Sequence, residues 1–138
     1  MKVNTLIVTD SDRRRLGVLL ATAEGRAWGE SAALADLEAT LEQAKPLELQ
    51  LVPESLVTMN TTVTLVDLCT GDPCTVTLVY PQDFDLVPKG ISVFEPLGAA
   101  LIGRQSGDVV EIEEPQLRRQ WRVAAIVYQP EEAGVNWL

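Results

Sequence analysis

The spacing of apolar residues changes once along this chain, at Lys45-Pro46. Before that point, apolar side chains recur at helical spacing from Leu16 to Ala23 and again from Leu34 to Ala44. After it, the period becomes two, as in strands that have one covered face. The residue before a proline also avoids the helical region, so the second helix must end here. The sequence therefore predicts an α+β protein in which helices precede a sheet.

The two helical segments predict a short antiparallel hairpin within residues 1–46. The first helix begins near Thr9, whose hydroxyl can accept a free N–H group, and Asp12 follows three residues later as in a capping box. Each helix would contain about 14 residues and be roughly 21 Å long. Glu24 to Glu30 forms the connecting tip, where Trp28 either folds back on the helix ends or serves as an exposed anchor for a partner.

Residues 47–138 predict a second domain, a five-stranded antiparallel sheet crossed by one short helix. Thr61–Cys69 and Cys74–Tyr80 are rich in β-branched residues and flank a turn with glycine and proline, which predicts a β-hairpin. Pro96 suits the first turn of the helix, and Gly103 can take the left-handed position that ends it. The other predicted strands are Ile91–Phe94, Asp108–Glu113 and Trp121–Gln129.

The composition limits the classes of function. The chain has 138 residues, a net charge of −9 and no histidine. This acidity argues against direct nucleic-acid binding, which requires a basic surface. Ser-His and Cys-His catalytic pairs are excluded, and no phosphate-binding glycine pattern is present, so we expect no cofactor. No apolar run approaches the ~20 residues of a membrane span and no secretory signal is present, so we expect a cytoplasmic protein.

Cys69 and Cys74 flank the turn of the predicted hairpin, and three interpretations of them stay open. They can be two ordinary buried or half-buried thiols, because a cytosolic protein keeps its thiols reduced. They can form a disulfide or serve a redox role if they lie opposite each other across the hairpin. They can bind a metal only with carboxylates as further ligands, because the chain has no histidine and no other cysteine.

Three consecutive arginines, Arg13-Arg14-Arg15, open the first helix, where the helix dipole disfavours cations. One interpretation is a solvated face that pairs in part with Asp10 and Asp12. The other is a contact with an acidic protein or a phosphate group. The sequence leaves both interpretations open.

The string from Phe94 to Asp108, FEPLGAALIGRQSGD, resembles the signature of the carboxy-terminal domain of the bacterial Gre transcript-cleavage factors. In that family a proline, a helix of small residues and a Gly-Asp turn follow in this order. Further matching segments are Val57–Asn60, Thr77–Pro81 and Tyr128–Glu131. The resemblance extends over about residues 47–138, while the preceding helices match only in pattern.

The resemblance implies an FKBP-like sheet domain that docks on RNA polymerase at the rim of its secondary channel, with the helical hairpin pointing into the channel. The implied docking residues are Phe94, Glu95, Pro96 and Leu97. Gre factors place an aspartate two residues before the motif proline, and here Phe94 stands at that position. The implied contact is therefore more apolar than in the family.

The implied chemistry at the tip differs from that of the family. Gre factors carry two acidic residues at the tip of a long coiled coil, and these hold a magnesium ion for transcript cleavage. This chain lacks that string, has only Glu24 and Glu30 as tip acids beside Trp28, and has a far shorter arm. The resemblance thus implies a regulator that is not an enzyme, binds no metal and competes with Gre factors for polymerase.

Two other functions stay open. One is an FKBP-like prolyl isomerase, which needs an aromatic-lined pocket, whereas the seven aromatic residues of this chain are scattered. The other is a general protein-interaction module with a different target.

Overall fold

The computed structural model of the protein describes residues 6–22, 27, 31–47, 52–114 and 117–130. The helices are α1 (Asp10–Leu20), α2 (Ser31–Gln43), a 3₁₀ helix (Pro81–Leu86) and α3 (Pro96–Leu101). The strands are β1 (Ile7–Thr9), β2 (Lys45–Leu47), β3 (Thr62–Asp67), β4 (Pro73–Val79), β5 (Gly90–Ser92), β6 (Val109–Glu114) and β7 (Leu117–Tyr128). The predicted α+β class is confirmed. None of the helices in the described residues has both the length and the apolar character that crossing a bilayer requires.

The five-stranded sheet has the order β5-β4-β3-β7-β6. The predicted β-hairpin is confirmed, because β3 and β4 pair antiparallel with Val63 opposite Val76. Side chains alternate across this pair: Val63 is fully buried, whereas on the other face the hydroxyls of Thr62 and Thr77 are 2.8 Å apart. The period of two in the sequence is thus the alternation between the core and the outer face of the sheet.

The sheet is mixed, which corrects the prediction that it is antiparallel throughout. Strand β5 runs parallel to β4, with Gly90 beside Thr77 and Ser92 beside Val79. The 3₁₀ helix and the residues after it carry the chain back along β4 before β5 begins. Parallel neighbours need such a crossover, whereas a tight turn would have produced an antiparallel pair.

A second, two-stranded sheet was not predicted. Strands β1 and β2 pair in parallel, with Ile7 beside Lys45 and Thr9 beside Leu47. Each has only three residues, which is too short to show a period of two in the sequence. The backbone N–H of Ile7 also donates to the carbonyl of Gly103 at 3.3 Å, which joins this small sheet to the end of α3. Gly103 has the predicted left-handed conformation, with φ of +83°.

The start of α1 is connected to the sheet by polar contacts. The hydroxyl of Thr9 accepts the backbone N–H of Asp12 at 3.1 Å, which confirms the predicted cap. The carboxylate of Asp12 accepts the backbone N–H of Met59 at 3.0 Å, across 47 positions of sequence. The side chain of Arg13 donates to the carbonyl of Ala44 at the end of α2.

The helices and the sheet share one apolar core. Leu16 of α1 and Leu37 of α2 belong to the same buried cluster as Leu65 of β3 and Leu101 of α3. Most of the residues between α1 and α2 lie outside the described residues, so the antiparallel hairpin stays a prediction. The division into residues 1–46 and 47–138 also stays a prediction.

Candidate functional site

The predicted docking segment lies at the junction of β5 and α3. The backbone N–H of Glu95 donates to the carbonyl of Ser92 at 3.0 Å, and that of Phe94 donates to the Ser92 hydroxyl at 3.1 Å. Glu95 is the N-cap of α3, and Pro96 stands in its first turn as predicted. The segment is therefore a tight turn that is hydrogen-bonded to Ser92 and leads directly into α3.

A glycine in α3 brings the helix against β5. A β-carbon added at Gly98 would lie 2.0 Å from the carbonyl oxygen of Ser92 and 2.9 Å from the α-carbon of Val93. Backbone atoms cannot shift by that amount, so packing requires glycine at this position. The close approach sets the position of Glu95, which connects the two elements.

Phe94 has no exposed side-chain surface for the partner contact that was expected of it. Its side chain is fully buried, at 0% exposure, and belongs to the core together with Val93 and Leu101. A side chain without exposed surface supports the turn from inside. The sequence could not show this, because an aromatic residue before an acidic one is equally compatible with a surface anchor.

The other three docking residues reach the surface. Glu95 is exposed, and Pro96 and Leu97 are half-buried. Leu97 packs partly against the core and presents the remainder of its side chain to solvent. The surface that remains is thus one carboxylate beside two apolar side chains.

Glu95 also lines an open groove of about 680 Å³ at the β4–β5 edge of the sheet. Val76 and Ile91 provide apolar surface there, both half-buried against the core. Lys89 and Cys74 line the same groove and are exposed. A groove with apolar walls and charges of both signs suits the binding of a protein segment, since the apolar part contributes affinity and the charges contribute specificity.

The sequence did not indicate that Val76, Lys89 and Ile91 would belong to the site. They come from β4, the loop before β5, and β5 itself, and only the parallel pairing of these strands brings them beside Glu95. In the antiparallel sheet predicted from the sequence, these three side chains would have had different positions relative to Glu95.

The two cysteines do not face each other. Cys74 lies opposite Leu65 in the β3–β4 pair, while Cys69 lies in the turn, where its N–H donates to the carboxylate of Asp67 at 2.8 Å. Both thiols are free and exposed, so the interpretation of two ordinary thiols is wrong in placing them in a buried or half-buried position. Within the part of the chain that the structure describes, no group of three or more histidine, cysteine, aspartate or glutamate side chains could hold a metal ion.

The expected tip residues Glu24, Trp28 and Glu30 lie outside the described residues. Their roles stay predictions.

Tyr80 is a buried titratable residue. It lies after β4, is 5% exposed and lies near Asp12 and Arg15 of α1. Burial raises the pKa of the Tyr80 phenol far above its ordinary value, and the negative charge of Asp12 raises it further. Arg15 acts in the opposite direction. The phenol therefore stays neutral at every physiological pH and has a structural role where α1 meets the sheet.

Comparisons with known proteins agree with this architecture. Residues 52–128 match the family model described as "Transcription elongation factor, GreA/GreB, C-term". The "Regulator of nucleoside diphosphate kinase" of Escherichia coli (strain K12) is 34% identical over 131 residues, which cover 94% of each chain. "Transcription elongation factor GreA" of Hyphomonas neptunium is 30% identical over 130 residues, covering 91% of this chain and 83% of the relative.

A solved structure, "Prokaryotic transcription elongation factor GreA/GreB from Nitrosomonas europaea", is similar over 91% of this chain and 100% of its own, with a TM-score of 0.73 and 31% identity. The family model covers more than half of the chain, and the E. coli relative matches nearly all of it. The chain therefore belongs to the GreA/GreB family of transcription elongation factors.

Proposed function

We propose that this protein is a transcription regulator that binds RNA polymerase at the rim of the secondary channel, without cleaving the transcript. The proposed contact surface consists of Glu95, Pro96 and Leu97 together with the adjoining groove. Binding there would compete with Gre factors for the same site. By its name, the E. coli relative regulates nucleoside diphosphate kinase, and we extend that regulation to this chain.

The exposure of Glu95 is the observation that carries this proposal. It lies within the family signature, at the rigid junction of β5 and α3, beside apolar surface on Val76 and Ile91. An exposed carboxylate next to apolar surface favours a partner segment that combines basic and apolar side chains. The buried ring of Phe94 holds the turn in shape beneath this contact.

The proposed lack of transcript cleavage rests on the short length of the helical arm, formed by α1 and α2, and on the sequence of its tip. Helices α1 and α2 have 11 and 13 residues, which corresponds to roughly 16 and 20 Å of length. The tip contains only Glu24 and Glu30 as acidic residues and lacks the paired acids that the family resemblance associates with magnesium. In this proposal the hairpin enters the channel mouth, while the FKBP-like sheet domain remains outside.

A pull-down with core RNA polymerase tests the binding half of the proposal. We expect retention of polymerase by the wild-type chain and about tenfold weaker retention by Glu95→Lys, because charge reversal removes a specific contact and adds repulsion. Glu42→Lys is the matched control, since Glu42 is also exposed but lies on α2, away from the groove. Absence of binding at micromolar wild-type protein, or equal losses in the two variants, would contradict the proposed surface.

A transcript-cleavage assay on a backtracked elongation complex tests the proposed lack of cleavage and the proposed competition with Gre factors. We expect no transcript cleavage by this protein alone, and a dose-dependent decrease of the cleavage produced by an added Gre factor. Cleavage above the rate of polymerase alone would overturn the proposed lack of catalysis. Unchanged Gre-factor cleavage at saturating protein would overturn the proposed competition.

A further inference from the structure

A second groove, of about 840 Å³, lies between α1 and the outer face of the sheet. Its sheet side is a row across β4, β3 and β7, formed by Thr77, Thr62 and Tyr128, because Thr62 pairs with both of the others. Arg14, Arg15 and Val18 line the α1 side. A groove of this volume is within the range of small-molecule sites, which is about 300–1,000 Å³.

The three arginines near the start of α1 have different surroundings, which the sequence could not show. Arg13 donates to the carbonyl of Ala44 and so connects α1 to the end of α2. Arg14 and Arg15 both line the groove, where Arg14 is exposed and Arg15 is half-buried near the phenol of Tyr80. The helix dipole disfavours cations here, so helix stability does not explain the pair. In a chain with a net charge of −9, two adjacent arginines on one concave surface favour an anionic ligand.

Apolar surface lies next to these arginines. Val18 is four positions after Arg14, so the two side chains are neighbours on α1, and Val18 is 63% exposed. Tyr128 lines the sheet side of the same groove and is 40% exposed. An exposed aromatic ring can stack on a flat ring of a ligand, as it does on nucleic-acid bases. The groove thus combines positive charge with surface for a flat, apolar group.

Polar side chains add hydrogen-bonding groups to the groove. The hydroxyls of Thr62 and Thr77 are 2.8 Å apart and either can be the donor, so this contact leaves one hydroxyl hydrogen unused. Asp83 of the 3₁₀ helix contributes carboxylate oxygens, which accept hydrogen bonds. Sugar hydroxyls and the amino groups of bases are suitable partners for such side chains.

We propose that this groove binds a nucleoside phosphate, with the phosphate groups at Arg14 and Arg15 and the base against Tyr128. Such a ligand has the three parts that match the groove, an anion, a flat ring and hydrogen-bonding groups. The chain has no glycine-rich phosphate loop, so arginine side chains rather than backbone N–H groups hold the phosphate in this proposal. The inference does not depend on polymerase binding, because no residue lines both this groove and the groove beside Glu95.

Nucleotides that carry an N-methylanthraniloyl (mant) fluorophore on the ribose provide the test. Mant-ATP and mant-GTP are titrated with the full-length chain without magnesium, so that the phosphates keep their full charge, and binding is followed by fluorescence anisotropy. We expect at least one of them to bind with a Kd below about 1 mM, and mant-adenosine, which lacks phosphate, to bind at least tenfold more weakly. Absence of saturable binding of both nucleotides, or equal binding of mant-adenosine, would overturn the proposal.

Competition separates a nucleotide site from a simple anion site. The unlabelled nucleotide should displace its mant derivative, whereas inorganic tripolyphosphate should displace it at least tenfold less effectively, because it has no ring to place against Tyr128. Equal displacement by tripolyphosphate would show that the groove binds only the anion, which would overturn the proposal.

Charge variants test the position of the phosphate groups. Arg14→Glu should weaken nucleotide binding at least tenfold, and it should remain folded, because Arg14 is exposed and a carboxylate is favourable near the start of a helix. Arg122→Glu is the matched control, with binding expected within twofold of wild type, because Arg122 is exposed on β7 but does not line the groove. Equal losses in the two variants would show unspecific attraction and contradict the proposed site.

Variants of Tyr128 test the position of the base. Tyr128→Leu removes the ring and should weaken nucleotide binding about fivefold or more, whereas Tyr128→Phe keeps the ring and should bind within twofold of wild type. The thermal midpoint of each variant verifies that it is folded at the temperature of the measurement. Equal affinities of the leucine and phenylalanine variants would contradict the proposed stacking.

Discussion

Neighbouring residues in the docking segment have separate tasks, because Phe94 faces the core and Glu95 faces solvent. Replacing a buried ring changes the free energy of unfolding, whereas replacing an exposed carboxylate changes the binding of a partner to the surface. The two residues can therefore be separated experimentally, although they are adjacent in the chain.

Phe94→Leu should lower the free energy of unfolding by about 1 kcal/mol while leaving polymerase binding within twofold of wild type. Glu95→Lys should weaken binding with less than about 0.5 kcal/mol change in stability. Urea unfolding and the polymerase pull-down measure the two effects. If Phe94→Leu weakened binding as much as Glu95→Lys at a temperature where both are folded, Phe94 would have to contact the partner itself.

Tyr80 makes stability depend on pH in the alkaline range. Its folded pKa is raised above the ordinary value of about 10, so the unfolded chain loses the proton first as pH rises. The contribution is fully present below pH 10 and decreases above it by at most about 1.4 kcal/mol per pH unit. Tyr80→Phe should remove this slope, which denaturant unfolding between pH 9 and about 11 measures. Tyr128→Phe is the control, since Tyr128 is partly exposed. An unchanged slope in Tyr80→Phe would contradict the assignment.

At the scale of elements, the contact between α3 and β5 requires Gly98. Gly98→Ala should destabilise the protein by about 1–3 kcal/mol, because the added carbon meets backbone atoms of Ser92 and Val93. Gly17→Ala in α1 is the control: nothing lies within 4 Å of its added carbon, so the better helix propensity should stabilise by roughly 0.5–1 kcal/mol. Thermal unfolding measures both. A stabilising Gly98→Ala would show that α3 does not approach β5 this closely.

The elements differ in how much of them could be predicted. The cap at Thr9, the proline start of α3 and the left-handed Gly103 were predictable, because each depends on atoms a few residues away. The direction of β5 was not, since its three residues have the same pattern in either direction. Strands β1 and β2 were missed for a related reason: their pairing depends on residues that lie almost 40 positions apart.

At the scale of the whole molecule, α1 and α2 share a core with the sheet. A shared core favours a single cooperative unfolding transition, even though the sequence predicts a helical hairpin and a separate sheet domain. The β1–β2 pair and the bond from Met59 to Asp12 add connections between the two parts.

Leu37→Ala in α2 should therefore shift the unfolding of the sheet as much as that of the helices. The expected loss is about 2–5 kcal/mol, because Leu37 is fully buried. Leu65→Ala in β3 should produce a shift of the same kind. In a background with Trp28→Phe and Trp137→Phe, the fluorescence of Trp121 reports on the sheet, whereas far-ultraviolet circular dichroism is dominated by the helices. Two transitions, of which Leu37→Ala moves only one, would show that residues 1–46 and 47–138 unfold as independent domains.

The sequence by itself determined the class of the fold, the positions of most helices and strands, and the family signature from Phe94 to Asp108. These features depend on local period, on proline and glycine geometry, and on the order of residues along the chain. Only the tertiary structure decided that Phe94 is buried while Glu95 is exposed, and that Val76, Lys89 and Ile91 lie beside Glu95. The physical reason is that the burial of a side chain, and which side chains lie together, depend on contacts between strands that are distant in sequence. Local sequence patterns do not determine which strands become neighbours.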